Sequence, residues 1–150
     1  MKIGIVRPYN AYGPRDHFDP EKSHVIPALI KRIFDGEDPL NVWGSGEQSR
    51  AFLYVEDFAR GLIEAIEKYP VPDPINIGTS EEIKIKDLIK LLLKLSGKKN
   101  KINFDTSKPD GQPRRNCDTR KAGEKIGFKA KVKLEEGLRK TIDWYKLHKL

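Results

Sequence analysis

Arg50 is the residue in this chain whose type and setting best fit chemistry on a ligand. It lies in the stretch VWGSGEQSRAFLYVED, residues 42–57, four positions after the last glycine of a Gly44-Ser45-Gly46 turn. Two glycines permit a tight reversal of the backbone. A guanidinium is a planar fork that matches the paired oxygens of a phosphate or diphosphate. An arginine beside a turn also reads as a solvated surface charge. Trp43 and Phe52, flat apolar side chains on either side, favour the anion. A second basic segment, loop 107–115, carries Lys108, Arg114 and Arg115 around Pro109-Asp110-Gly111. It is either an ordinary polar loop or a further set of cations.

His24 offers different chemistry. A neutral imidazole titrates near working pH and can move protons as acid or base. A histidine near a helix start is also a common surface or capping residue. Arg32 follows eight positions later on the same expected helix, with small Ala28 between, a spacing that aims both toward one side. Arg32 reads equally as a solvated neighbour of Lys31 and as a contact to sugar or phosphate. Asn10 stands in a loop bounded by Pro8 and Gly13, where asparagine is a natural turn former.

These residues need elements to hold them. Residues 2–7, KIGIVR, form a β-branched run ended by Pro8 and predict a buried strand. The long loop 8–22 is followed by a helix over 23–35, capped by Ser23, with Ile26, Leu29, Ile30, Ile33 and Phe34 as its apolar stripe and Gly36 as its stop. Glu56 and Asp57 open a helix over 57–69, since negative charge suits a helix start. Phe58, Leu62, Ala65, Ile66 and Tyr69 recur along it at helical spacing, and Pro70, Pro72 and Pro74 end it. A strand over 75–77, a helix over 85–95 closed by Gly97, and a strand over 101–104 follow. Asp118 caps a brief helix to Ile126, and Leu134, Leu138, Ile142 and Tyr145 mark the last helix.

The 150 residues suffice for one domain with its own core. With 29 Lys and Arg against 22 Asp and Glu, the net charge of +7 raises the possibility of nucleic acid. The charges are scattered, however, and neither a zinc-finger spacing nor an aromatic-basic ribonucleoprotein motif is present. Solvated helix faces plus an anionic ligand account for them better, and no metal site is assigned. The single cysteine, Cys117, excludes an internal disulfide, reads as a half-buried structural thiol, and fits a reducing cytoplasm. No apolar run approaches 18 residues, so membrane insertion is not expected.

The segment Gly44-Ser45-Gly46-x-x-x-Arg50-x-Phe52-x-x-Val55-x-Asp57 resembles the part of extended short-chain dehydrogenases/reductases that follows their Rossmann half. So do Arg7-Pro8-Tyr9-Asn10-Ala11-Tyr12-Gly13-Pro14, Ile75-Asn76-Ile77-Gly78-Thr79, and the SHVIP and KPDGQPR segments at 23–27 and 108–114. These enzymes, the NAD-dependent epimerase/dehydratase family, act on nucleotide sugars, and the last two segments are most similar to its GDP-L-fucose synthase branch. The resemblance implies an α/β fold: the C-terminal substrate-binding portion of an extended Rossmann-type enzyme, a single domain of mixed helices and short strands without the N-terminal Rossmann half. It implies that His24 is an acid/base inverting sugar stereocentres. It places Arg32, Trp43, Arg50, Lys108 and Arg114 around the nucleotide sugar, and Asn10 and Ala11 against the nicotinamide end of NADP or NAD. Ala51 stands where many relatives have an acidic residue.

The same resemblance shows what this sequence lacks. Gly44-Ser45-Gly46 is followed by Ser49 and strand-like residues, not by a third glycine and a helix. Tyr145-x-x-x-Lys149 has the spacing of the family's catalytic pair, but the apolar stripe makes Tyr145 a core residue. The chain alone is therefore expected neither to bind the cofactor tightly nor to catalyse hydride transfer. Strands 2–7 and 75–77 and helix 57–69 would leave an edge and an apolar face uncovered, which predicts self-association or a partner chain supplying the Rossmann half. The alternatives are a non-catalytic module that keeps the fold and a basic nucleic-acid binder.

Overall fold

The computed structural model describes residues 1–19 and 21–148. It is a mixed α/β structure whose chain divides into two compact units. Unit 1 comprises Met1–Tyr12, Ala51–Glu82 and Asn116–Gly137, and unit 2 comprises Gly13–Arg50, Ile83–Arg115 and Leu138–Leu150.

Unit 1 is built on two parallel strand pairs. β1 (Val6–Pro8) pairs with β6 (Ile75–Ile77) in the register Val6↔Ile75, and β2 (Ala11–Tyr12) pairs with β5 (Leu53–Tyr54). The helices α2 (Val55–Lys68) and α4 (Arg120–Ile126) pack on them through a core of Leu53, Ala65, Ile75, Ile77, Ala122, Ile126 and Phe128. Each large aliphatic side chain in it contributes about 1.5–3 kcal/mol by leaving water. Gly61 lets α2 approach closely, because a Cβ there would lie 2.6 Å from Ile77 Cγ2 and 3.0 Å from Phe128.

The first strand departs from its expected form. It is shorter than 2–7, includes Pro8, and leaves Ile3 47% and Ile5 40% exposed. Parallel strands are ordinarily covered on both faces, and among the described residues β1 has one strand neighbour, β6. Leu62, Ile63 and Ile66 on α2 are exposed as well, although Leu62 and Ile66 belong to the apolar repeat.

Unit 2 contains α1 (Val25–Phe34), β3 (Leu40–Trp43), β4 (Ser49–Ala51) up to Arg50, α3 (Ile85–Ser96), β8 (Ile102–Asp105) and β9 (Arg114–Arg115). β3 and β8 run parallel from Leu40↔Ile102 to Trp43↔Asp105. Ile26, Leu29, Ile30 and Ile33 of α1 are buried, as are Leu88, Ile89 and Leu92 of α3. α1 begins at Val25 with His24, not Ser23, as its N-cap. α3 ends on Gly97 at φ 71, the left-handed cap that glycine adopts without strain. β7 (Glu82–Lys84), β4 and β9 form a three-stranded sheet in that order. The last helix, α5 (Leu134–Leu147), supplies Leu134 and Gly137 to unit 1 and Leu138, Ile142 and Tyr145 to unit 2. No described helix is long and apolar enough to cross a membrane.

Candidate functional site

The segments that carry Arg50 and Arg114 are joined by a pairing that no local pattern in the sequence announces. β4 and β9 run parallel, with Ser49 opposite Arg114 and Arg50 opposite Arg115. Ser49 N–H donates to the Pro113 carbonyl at 2.9 Å, so the 107–115 loop lies along the segment that follows the glycine turn. Arg50 is half-buried. Its Nη1 donates to the Gln112 carbonyl at 2.8 Å and to its own neighbour, the Ser49 carbonyl, at 2.7 Å. Its Nη2 reaches to 4.0 Å from where a Cβ on Gly111 would stand.

Trp43 and Lys108 form a second pair. Trp43 is 69% exposed at the end of β3, an unusual setting for so large an aromatic. Lys108 Nζ lies 6.0 Å from its ring centroid, within cation–π range. The turn between them is held open by glycine geometry: Gly44 and Gly46 sit at φ 81 and φ 74. A Cβ on Gly44 would lie 2.2 Å from Asp110 Oδ1, and one on Gly46 would lie 2.6 Å from Phe104. Glu47 then pairs with Lys84 at 2.8 Å and also with Lys86, and those two lysines hold its carboxyl well below the usual range, at about 2. Trp43 and Lys108 thus lie together at the end of β3, and the 107–115 loop runs beside Arg50, with Arg115 as its direct strand partner and Arg114 one position earlier.

Arg32 has another occupation. Its Nε and Nη2 each donate to the Glu37 carboxylate at 2.6 Å, and Nη2 also reaches the Asn41 carbonyl at 2.5 Å. The Arg32 bond in turn holds the Glu37 carboxyl below its ordinary value. A ligand would have to displace that carboxylate. His24 is exposed at the other end of α1, about 12 Å away along the helix axis. The two residues therefore occupy opposite ends of one helix.

In unit 1, Asn10 adopts φ 44, and its side-chain amide donates to the Ala51 carbonyl at 2.9 Å. It braces β2 against the start of β5, where Leu53 N–H in turn donates to the Asn10 carbonyl at 3.1 Å. Ala11 is the first residue of β2. A dinucleotide needs a glycine-rich strand-to-helix turn to cradle its pyrophosphate. The helices α1 to α4 instead follow His24, Tyr54, Lys84 and Thr119. Asn10 and Ala11 alone do not fit that group, so the residues of this chain support no step through a nicotinamide.

Phe52 is core, not a wall: it is 8% exposed and meets Tyr12 edge-on. Tyr12 is itself buried, which drives its hydroxyl pKa far up, so it stays protonated and donates to the Leu134 carbonyl at 3.3 Å. Tyr145 is buried against Phe18 and Phe34, and Lys149 lies outside the described residues. Cys117 is half-buried, and burial raises its thiol pKa. A polar cavity of about 290 Å³ in unit 1, lined by Thr79, Glu81, Thr119, Lys129 and Lys133 among others, includes none of the sequence-predicted residues.

Residues 1–78 match the NAD dependent epimerase/dehydratase family. The chain is 39% identical over 142 residues to GDP-L-fucose synthase 1 of Arabidopsis thaliana, covering 92% of this chain and 44% of that protein. It superposes on a UDP-glucose 4-epimerase of Thermotoga maritima, solved with UDP-glucose, at a TM-score of 0.87 and 32% identity over 100% of this chain and 48% of that one. A GDP-L-fucose synthetase of Naegleria fowleri bound to NADP gives a TM-score of 0.87 at 31% identity over 96% of this chain and 46% of its own. The chain spans less than half the length of these relatives. With the matched strands and helices in the same α/β arrangement, it belongs to the NAD dependent epimerase/dehydratase family.

Proposed function

We propose that this chain is the nucleotide-sugar-binding portion of an NAD(P)-dependent epimerase/reductase of the GDP-L-fucose synthase type, and that it does not turn over alone. The β4–β9 pairing carries this reading, because it sets Arg50 beside the loop bearing Lys108 and Arg114. Two or three cations around one diphosphate act through charge-assisted bonds of about 1.5–3 kcal/mol each. Trp43 offers a flat face to the apolar part of the ligand. Arg32 contributes a direct contact only after release from Glu37. In the assembled enzyme His24 moves protons at the sugar carbons, while the nicotinamide and the Tyr/Lys pair come from the other half, with Asn10 and Ala11 at its edge. We assign the exposed Ile3, Ile5, Leu62, Ile63 and Ile66 of unit 1 to contact with that half. The relatives are more than twice as long as the stretch matched here. The single thiol fits a cytoplasmic setting.

Calorimetry tests the binding claim. The chain should take up GDP and a GDP-sugar, and Arg50→Ala should weaken both by about 10- to 100-fold with the fold intact. No heat and no thermal shift with the wild-type chain would overturn the reading. NADPH binding as tight as that of the nucleotide sugar would overturn the division of labour.

A further inference from the structure

Asp110 lies in the loop that carries Lys108 and Arg114, and its carboxylate is turned onto the glycine turn. Ser45 N–H donates a short bond to Asp110 Oδ1, and the Ser45 hydroxyl lies 3.0 Å from both carboxylate oxygens. The same hydroxyl accepts from Glu47 N–H at 3.2 Å, so its own proton is directed to Asp110. The space for this contact exists only because Gly44 has no side chain. Asp110 lies two residues from Lys108 and four from Arg114, and its neighbour Gly111 approaches the Arg50 guanidinium. A carboxylate that swung loose there would compete with a phosphate for those cations.

We propose that Asp110 is a positioning residue for diphosphate recognition. Latched on the Ser45 N–H and hydroxyl, it fixes the 107–115 loop on the 44–46 turn and keeps its own charge from occupying the cations a diphosphate would use. This rests on the reading of Arg50 and the 107–115 loop as a diphosphate site. The latch itself is a property of the free chain and is measurable without any ligand.

Amide hydrogen exchange on the full chain, without nucleotide, tests the latch. Asp110→Ala should speed exchange across 106–115 by about tenfold, and Asp110→Asn, which keeps an acceptor oxygen for Ser45, should restore most of the protection. Calorimetry with GDP tests the consequence. Ser45→Ala, which leaves the carboxylate charged and less restrained, should bind about tenfold more weakly than wild type, while Asp110→Asn binds at least as well. Wild-type exchange in Asp110→Ala, or GDP binding in Ser45→Ala as tight as in wild type, overturns the proposal. A wild-type chain that ignores GDP overturns the diphosphate reading instead, and the exchange result then decides the latch alone.

Discussion

Arg32 and Arg50 are the same residue type with different fates, and the difference lies in what surrounds each fork. Arg32 meets a carboxylate five residues away and is consumed by it, whereas Arg50 donates to two backbone carbonyls, which carry no full charge. Arg50→Lys should therefore recover only part of the GDP affinity lost in Arg50→Ala, since an ammonium keeps the charge but not the bidentate geometry; equal recovery in calorimetry would show that charge alone matters. Asp57 carries a larger structural role than its place at a helix start suggested. It is 2% exposed, and it accepts from Arg60 Nη2 at 2.6 Å and from the Lys131 and Val132 amides, each at 2.8 Å. Burial alone would raise its carboxyl pKa, but the bonds from Arg60 and the two amides outweigh it and hold the value below the ordinary one. A depressed carboxyl stabilises the fold above its unfolded pKa, near 4, and loses that contribution as pH falls through the folded value. Asp57→Ala should cost about 1–3 kcal/mol in urea melts, by leaving the Lys131 and Val132 amides without their acceptor, while Arg60 keeps Glu64 and the Lys129 carbonyl. Asp57→Asn should flatten the stability loss below about pH 4, and an unchanged acid limb would refute the assignment.

At the scale of elements, two glycines in helices make opposite predictions. Alanine at Gly61 would gain about 1 kcal/mol of helix propensity but would press its Cβ into Ile77 and Phe128, an overpacking of about 1–3 kcal/mol. Burial makes the second effect win, so Gly61→Ala should lower Tm by about 2–6 °C. At Gly123 a Cβ would meet only the Phe128 carbonyl, at 3.8 Å, and Gly123→Ala should raise stability by about 0.5–1 kcal/mol. Thermal melts of both variants check the pair. The helices α1, α2, α3 and α5 were legible because apolar residues recur within each segment, α4 was legible from Asp118 and Gly127 at its ends, and Gly97 closes α3. The strands β2, β7 and β9 are two or three residues long and leave no such period. Their existence depends on partners far along the chain.

At the scale of the whole molecule, the exposed Ile3, Ile5, Leu62, Ile63 and Ile66 of unit 1 have an energetic consequence. Gly4, between the first two, has its Cβ position 3.5 Å from the Ala65 and Ile66 backbone, so the chain leading into β1 runs against the helix that bears the other three. Left in water, such a patch drives association. The isolated chain should elute above its monomer size at tens of micromolar, and Ile63→Glu with Ile66→Glu should return it to a monomer. A clean wild-type monomer in size-exclusion chromatography would overturn this. The amino-acid sequence by itself determined the family motifs, the helices and their core stripes, because those are written in adjacent residues. Only the tertiary structure decided that Arg50 and Arg114 lie on neighbouring strands, that Arg32 is held by Glu37, and that Asp57 anchors residues 74 and 75 positions away. Those outcomes depend on which distant backbone donors and acceptors remain unpaired once the helices have packed, and local periodicity carries no record of that.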